Sequence, residues 1–323
     1  MSHAIRVQAT GGPEVLGWEQ VPTPEPGPGQ VLIHHAAIGV NFIDLYFRSG
    51  LYKTPLPMTP GMEASGTVLR LGPGVTDFAE GDRVAYVSMP LGAYAEKRVM
   101  PADRLVKLPP SISFETAAGM MMRGLTTQFL LHRTYKVSPG ETILVYAAAG
   151  GVGLVMCQWA KHIGAIVIGV VSSAEKAAIA RAHGADHVLL ADEDIPARVR
   201  DITNGAMVPV VYDSVGRDTF AASLDCLAPL GMMVSFGNAS GAVPPVDISQ
   251  LAAKGSLFLT RPSLVTYTAK RSALLAATED LFDVVQKGQV KIEVDQTFPL
   301  KDAAEAHRAL ESRKTTGSTI LKP

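Results

Sequence analysis

Apolar and polar positions fall into two textures along the 323 residues. Over the first 120, runs at 31–37, 64–71 and 83–87 are apolar or alternate apolar with polar, the period of a strand. Pro and Gly punctuate them in Pro22-Thr-Pro-Glu-Pro-Gly-Pro28, Gly72-Pro-Gly74 and Gly81-Asp82. Many short strands between such turns predict a compact, mostly β domain. Near Ser113 the period changes, and residues 114–131 carry Ala, Met and Leu at helical spacing. From Glu141 strands alternate with helices. Strands are expected at 142–147, 165–171, 187–190, 208–212, 232–236 and 257–260, and helices at 150–162, 174–183, 195–203 and 218–227. This alternation predicts a six-stranded, doubly wound parallel sheet with helices on both faces. After Arg261 it stops. A long amphipathic helix is expected at 268–287, a strand at 290–298, a helix at 302–312 and a last strand at 319–321. The tail is read as returning to the first domain. The expected division is therefore 1–124 with 262–323 as one domain and 125–261 as an inserted one, with a cleft between the lobes.

Composition narrows the function classes. Charged residues make up 18%, below the usual quarter or so, which points to extensive burial. Lys plus Arg is 29 and Asp plus Glu is 30, so the chain as a whole has no electrostatic footprint for nucleic acid. Two cysteines, Cys157 and Cys226, exclude a disulfide scaffold and a four-cysteine zinc lobe. Both fall in expected helices and read as packed thiols. Residues 1–10 lack the order of a signal peptide. The longest apolar stretch, 152–171, is interrupted by Lys161, His162 and Gly164, so it reads as helix, turn and buried strand and not as a membrane span. Cytoplasm is the expected location. His34 and His35 are expected on opposite faces of a strand, and no His pair has ligand spacing.

The sharpest motif is Val145-Tyr-Ala-Ala-Ala-Gly-Gly-Val-Gly153, which follows an expected strand and opens an expected helix. Against G-x-G-x-x-G, Ala148 takes the tight-turn position while Gly150 and Gly153 fill the others. Gly150 lets backbone approach a pyrophosphate, Gly153 lets helix pack on sheet, and the amides of Gly151 and Val152 face the phosphates. About 20 residues on, where NAD enzymes place a carboxylate for the ribose, the chain has Ser172 and Ser173, with Lys176 one turn further. Hydroxyls and an ammonium accept a 2′-phosphate that a carboxylate would repel, so NADP(H) is expected. Glu175 is the contrary detail.

These residues carry a family resemblance. With Gly11-Gly-Pro-Glu-Val-Leu16, Gly39-Val-Asn-Phe-Ile-Asp44, Arg48-Ser-Gly-Leu-Tyr52, Gly81-Asp-Arg-Val84, Gly92-Ala-Tyr-Ala95, Gly124-Leu-Thr126, Tyr212-Asp-Ser-Val-Gly216, Ser235-Phe-Gly-Asn238 and Thr260-Arg-Pro-Ser263, the whole chain resembles the zinc-free quinone oxidoreductases. These belong to the medium-chain dehydrogenase/reductase superfamily and are related to ζ-crystallin. The resemblance implies a Rossmann domain inserted in a GroES-like catalytic domain, NADPH in the cleft, and a homodimer. It implies cofactor contacts from Asn41, Thr126, Gly150, Gly151, Val152, Gly153, Ser172, Ser173, Lys176, Ser214, Phe236, Gly237, Asn238 and Arg313. Where relatives often have a Tyr beside the adenosine phosphate, this chain has Ala191, so one contact is missing.

Zinc-dependent members use Cys, His and Cys or Asp ligands with a Gly-His-Glu motif. Here the segment is Gly61-Met-Glu63, and Asn41 stands in place of the first Cys. A thioether beside a neutral amide suits Zn²⁺ poorly, so no metal is expected, and Glu63 is left a structural hydrogen-bonding role. A quinone accepts electrons without a Lewis acid. The task is then to hold a flat acceptor against the nicotinamide. Asn41, Tyr46, Tyr52 and Arg261 are the expected catalytic residues: an amide, two flat phenols, and a guanidinium that polarises a carbonyl oxygen. An NADPH-dependent enone or alkenal double-bond reductase is the first alternative. A nucleotide-binding structural or RNA-associated crystallin-like protein is the second, disfavoured by the near-zero net charge.

Overall fold

The structure is a computed structural model that describes residues 1–312 and 315–323. In chain order its elements are β1 (Ser2–Arg6), β2 (Gly17–Val21), β3 (Gln30–Val40), α1 (Phe42–Ser49), β4 (Glu63–Leu71), β5 (Arg83–Val87), β6 (Lys97–Pro101), β7 (Val106–Lys107) and α2 (Phe114–Phe129). Then come β8 (Thr142–Tyr146), α3 (Gly151–Ile163), β9 (Ile166–Val171), α4 (Ala174–Ala182), β10 (His187–Leu190), α5 (Ile195–Ile202), β11 (Val208–Asp213), α6 (Phe220–Asp225) and β12 (Leu227–Ser235). The chain ends with α7 (Ser249–Ala253), β13 (Phe258–Thr260), α8 (Leu264–Tyr267), α9 (Arg271–Gln286), β14 (Val294–Pro299), α10 (Ala303–Glu311) and β15 (Ser318–Lys322).

Two compact units result, one of Met1–Leu125, Thr268–Gln286 and Ile292–Pro323, the other of Thr126–Tyr267 and Lys287–Lys291. The first is the GroES-like unit. Its large sheet runs β14-β15-β3-β4-β5-β7, with β6 also on β3. β15 closes antiparallel on β3 through Thr319, Ile320 and Leu321, and β14 lies parallel to β15, so the tail completes this sheet. Ala37, Ala118 and Ile320 pack together where β3, α2 and β15 meet. The strand period predicts opposite fates for His34 and His35: His34 is exposed, and His35 is buried with Nδ1 on the Ala95 carbonyl and Nε2 on the Tyr86 hydroxyl.

The second unit holds the six-stranded sheet β10-β9-β8-β11-β12-β13, every pairing parallel, in the Rossmann strand order. Its core includes Leu144, Ile168, Leu189, Val211 and Met233, one from each of five strands, under Val199 and Leu224 from the helices. In this unit the sequence reading did not foresee α7 and α8, and two foreseen segments differ in extent. The helix from 114 ends at Phe129 and widens into a π turn over Leu130–Thr134, whose Leu130 carbonyl accepts the Tyr212 hydroxyl at 3.1 Å. β12 starts at Leu227, five residues early, and Cys226 lies beyond the end of α6 instead of within it. The register jumps from Val208↔Leu227 to Val210↔Met232, and Leu230 stands exposed at φ 64 on the extruded residues.

Candidate functional site

In the second unit the phosphate-loop motif lies between β8 and α3. The left-handed residue of the turn is Ala147, at φ 52, one before the Ala148 that fills the first motif position. Ala148 is buried, and its N–H donates to the Val170 carbonyl of β9 at 3.0 Å. A non-Gly residue in this conformation costs about 1–2 kcal/mol. Gly150 caps the helix, and the amides of Gly151 and Val152 begin it with no carbonyl one turn back to bond. A Cβ on buried Gly153 would lie 2.8 Å from Ala148 Cα and nearer still to the Ala147 carbonyl, so the first turn of α3 rests directly on the loop.

The other nucleotide candidates sit at the carboxyl ends of neighbouring strands, the usual ligand side of a doubly wound sheet. After β9, Ser172 is exposed, and Ser173 is the N-cap of α4, accepting the Lys176 N–H at 3.4 Å. Glu175 is exposed, and the Ser173 hydroxyl holds its carboxyl below the usual range. Ala191 follows β10 and donates its N–H to the Val171 carbonyl at 2.8 Å, which puts it beside the Ser172 turn. After β11, buried Asp213 accepts from Val215 N at 2.7 Å, Gly216 N at 3.0 Å, Thr219 Oγ1 at 2.7 Å and Ser223 Oγ at 2.9 Å. Four donors on one carboxylate fix the loop that presents Ser214. The loop after β12, with Phe236, Gly237 and Asn238, is tied to it through Phe236 N to Asp213 O at 2.8 Å and Ala239 N to Ser214 O at 3.2 Å. Arg261, past β13, is exposed and donates to the Gly237 carbonyl at 2.9 Å and to Ser235 Oγ at 3.3 Å. Thr126 is buried on α2. Arg313 lies outside the described residues.

In the first unit Asn41, Tyr46 and Tyr52 gather around α1. Asn41 is the N-cap of α1, and its N–H donates to the carboxylate of Asp44, three residues on, at 2.9 Å. Its side-chain Nδ2 donates to Glu63 Oε2 at 2.7 Å, which leaves Oδ1 on the other arm of the amide. Tyr46 and Tyr52, both half-buried, pack edge to face with centroids 5.3 Å apart, and Tyr52 N donates to the Tyr46 carbonyl at 3.0 Å.

Glu63 does have the structural role expected of it, and it has company. It is fully buried, and its second oxygen accepts the Met122 N–H at 2.7 Å. Room for it depends on Gly39, where a Cβ would meet the carboxyl carbon at 2.7 Å. Asp44 is also fully buried. Burial raises both carboxyls to about 7, opposed by their hydrogen bonds and by the Arg123 guanidinium. Arg123 itself donates to the carbonyls of Gly119 and Val40, each at 3.1 Å. Behind Asp44 stand Tyr94, His307 and Arg48, all buried. Sequence reasoning missed Asp44, Arg48, Tyr94, Arg123 and His307. Only Asp44 had a local signal, the Asn-x-x-Asp spacing of a capping pair.

Met62 is buried beside Glu63, and the Asn41 amide is spent on Glu63, so an amide and a thioether are what these positions offer a metal. They do not fit Zn²⁺. Among the described residues no group of three or more His, Cys, Asp or Glu is placed to hold a metal ion.

A GroES-like unit made from both chain ends around a Rossmann unit is the fold of the medium-chain dehydrogenases/reductases. Family models agree: the alcohol dehydrogenase GroES-like domain matches residues 27–110, and the zinc-binding dehydrogenase family matches 151–274. A quinone oxidoreductase of Pseudomonas aeruginosa is 51% identical, with 100% of each chain covered. A 2-haloacrylate reductase of a Burkholderia species is 46% identical over 100% of this chain and 99% of its own. The crystal structure of Escherichia coli quinone oxidoreductase complexed with NADPH superposes with a TM-score of 0.98 at 48% identity, covering 99% of this chain and 100% of that one. The chain belongs to the quinone oxidoreductase family of the medium-chain dehydrogenase/reductase superfamily.

Proposed function

We propose that the protein is an NADPH:quinone oxidoreductase that works without a metal, with residues 125–261 as the NADP(H)-binding domain and 1–124 with 262–323 as the catalytic domain. The observation that carries this is the phosphate loop on α3, in a chain close to an NADPH-bound quinone oxidoreductase over its full length. The fit to the dinucleotide rests on the open amides of Gly151 and Val152 and on the Gly153 contact that holds them in place. When bound, NADPH supplies the hydride from its nicotinamide. The chain binds the diphosphate at Gly150, Gly151, Val152 and Gly153, and the 2′-phosphate at Ser172, Ser173 and Lys176. Thr126, Ser214, Phe236, Gly237, Asn238 and Arg313 complete the cofactor contacts. Asn41 orients nicotinamide and acceptor. Tyr46 and Tyr52 give the quinone a flat wall, and Arg261 stabilises negative charge on its oxygen.

The test is NADPH oxidation with benzoquinone and naphthoquinones set beside 2-alkenals and 2-haloacrylates. Quinones should give the higher kcat/KM. The opposite ranking would favour the double-bond reductase, a second reading that the 2-haloacrylate reductase relative keeps in play. Asn41→Ala should lower kcat about tenfold or more with the fold intact. For the cofactor, Ser172→Asp should raise the KM for NADPH about tenfold or more and leave that for NADH nearly unchanged, because a carboxylate repels the 2′-phosphate. Equal effects on both cofactors would reject the assignment.

We also propose a cytoplasmic homodimer. No helix among the described residues is long and apolar enough to cross a membrane. β13 is an edge strand with Phe258 and Leu259 exposed, and a bare apolar edge favours pairing with a second copy. Leu259→Lys should shift light-scattering mass from dimer to monomer. An unchanged dimer would place the interface elsewhere.

A further inference from the structure

A buried chain of hydrogen bonds runs through the first unit from α10 to the cap of α1. Arg48 Nη1 lies 3.2 Å from His307 Nδ1, His307 Nε2 lies 3.0 Å from the Tyr94 hydroxyl, and that hydroxyl donates to Asp44 Oδ2 at 3.2 Å. Chemistry sets its direction. A guanidinium only donates, so Nδ1 accepts and the ring proton sits on Nε2. The ring N–H then donates to the Tyr94 oxygen, and the Tyr94 proton is committed to Asp44. Burial and the Arg48 charge lower the His307 pKa to about 3, which keeps the ring neutral as this order requires. Arg48 is itself fastened to Glu311 and to the Gly11 carbonyl, the latter at 3.1 Å. Because Arg48 does not release its proton, the chain orients its members and does not conduct.

Its end point is Asp44 Oδ2, which also takes the Asn41 N–H at 2.9 Å. The other oxygen, Oδ1, is buried with no hydrogen-bond partner among the described residues. The Tyr94 hydroxyl and the Asn41 N–H therefore hold this carboxylate between them. We propose that Tyr94 and His307 are positioning residues for Asn41: they hold Asp44 under its backbone and thereby fix where its side-chain amide points. This rests on the reading above that Asn41 meets nicotinamide and acceptor. No sequence signal announces it, since Tyr94 and His307 are 213 residues apart.

The experiment compares His307→Gln with His307→Leu. Gln can accept from Arg48 with its carbonyl and donate to Tyr94 with its amide, preserving the direction of the chain, whereas Leu of similar size cannot. Gln should keep kcat for quinone reduction near the parent, while Leu lowers it about tenfold, with the KM for NADPH unchanged in both. A purely structural role would move the two together. Tyr94→Phe should lower kcat in the parent and have no further effect in an Asn41→Ala background. Equal kcat for Gln and Leu, or Tyr94 and Asn41 effects that multiply, would overturn the proposal. If Asn41→Ala itself leaves kcat unchanged, the assignment of Asn41 fails instead, so the two failures are told apart. Should Tyr94→Phe not fold, the His307 pair still decides.

Discussion

Gly153→Ala is expected to weaken NADPH binding by about tenfold or more and to destabilise the protein by about 1–3 kcal/mol. The added methyl would sit 2.8 Å from both the Cα and the carbonyl carbon of Ala148 and closer still to the Ala147 carbonyl. All three are backbone atoms, so no side chain can rotate away. Ala147 is already in the left-handed region at φ 52, and the loop has little slack to give. Relief must come from lifting the first turn of α3, which carries the amides of Gly151 and Val152 away from the phosphates. Gly150→Ala is the matched control. Its Cβ would approach the Ala147 carbonyl no nearer than 3.1 Å, so it should cost far less stability, although a methyl there also crowds the pyrophosphate. Fluorescence titration with NADPH and urea unfolding of both variants check this. Equal losses of stability would mean that Gly153 does not seat the helix.

Where burial is two-sided and the period regular, the chain was readable. The apolar β-branched runs of β8, β9 and β11 and the Gly-bounded α3 lie within a residue or so of their expected limits, because no competing structure suits those patterns. α1 was not read. Phe42-Ile-Asp-Leu-Tyr-Phe47 is rich in residues that favour strands, and the helix is decided by its ends: the Asn41–Asp44 pair at the start and Gly50 at φ 83 at the finish. β12 starts before its expected limit because the strand absorbs Pro229 and Gly231, residues that disfavour regular strand, in a bulge.

The site was legible in the same uneven way. Apart from Asn41 in the first unit, Thr126 on α2 and the undescribed Arg313, the cofactor candidates follow the carboxyl ends of parallel strands, where a linear motif and a strand boundary suffice to place them. The groups that support Asn41 come from α1, β4, α2, the Gly92–Ala95 segment and α10. His307 joins them because β15 brings the tail back onto β3, and contacts so distant along the chain leave no trace in local spacing.

Arg123→Met is expected to cost about 3–5 kcal/mol at pH 8 and much less at pH 5. Arg123 is the cation that draws both Glu63 and Asp44 toward ionisation, and it is buried with them. Both carboxyls are raised in the folded state, from their ordinary 4.5 and 3.8 to about 7. The folded protein therefore binds more protons than the unfolded chain across that window, and their contribution to stability falls as pH rises from about 4 to 7. Removing the guanidinium raises both further, so the window widens upward and the loss continues past neutrality. Below about pH 4 the carboxyls are protonated in both states and the charge term vanishes. What remains there is the loss of two donors, to Gly119 and Val40. His35 and His307, lowered to about 3 by burial, act in the opposite sense, but both chains share them and they drop out of the difference. Urea unfolding of parent and variant at pH 5, 6, 7 and 8 measures that difference directly. A deficit that is flat, or larger at pH 5, would mean that Arg123 does not set the charge state of the pair around Asn41.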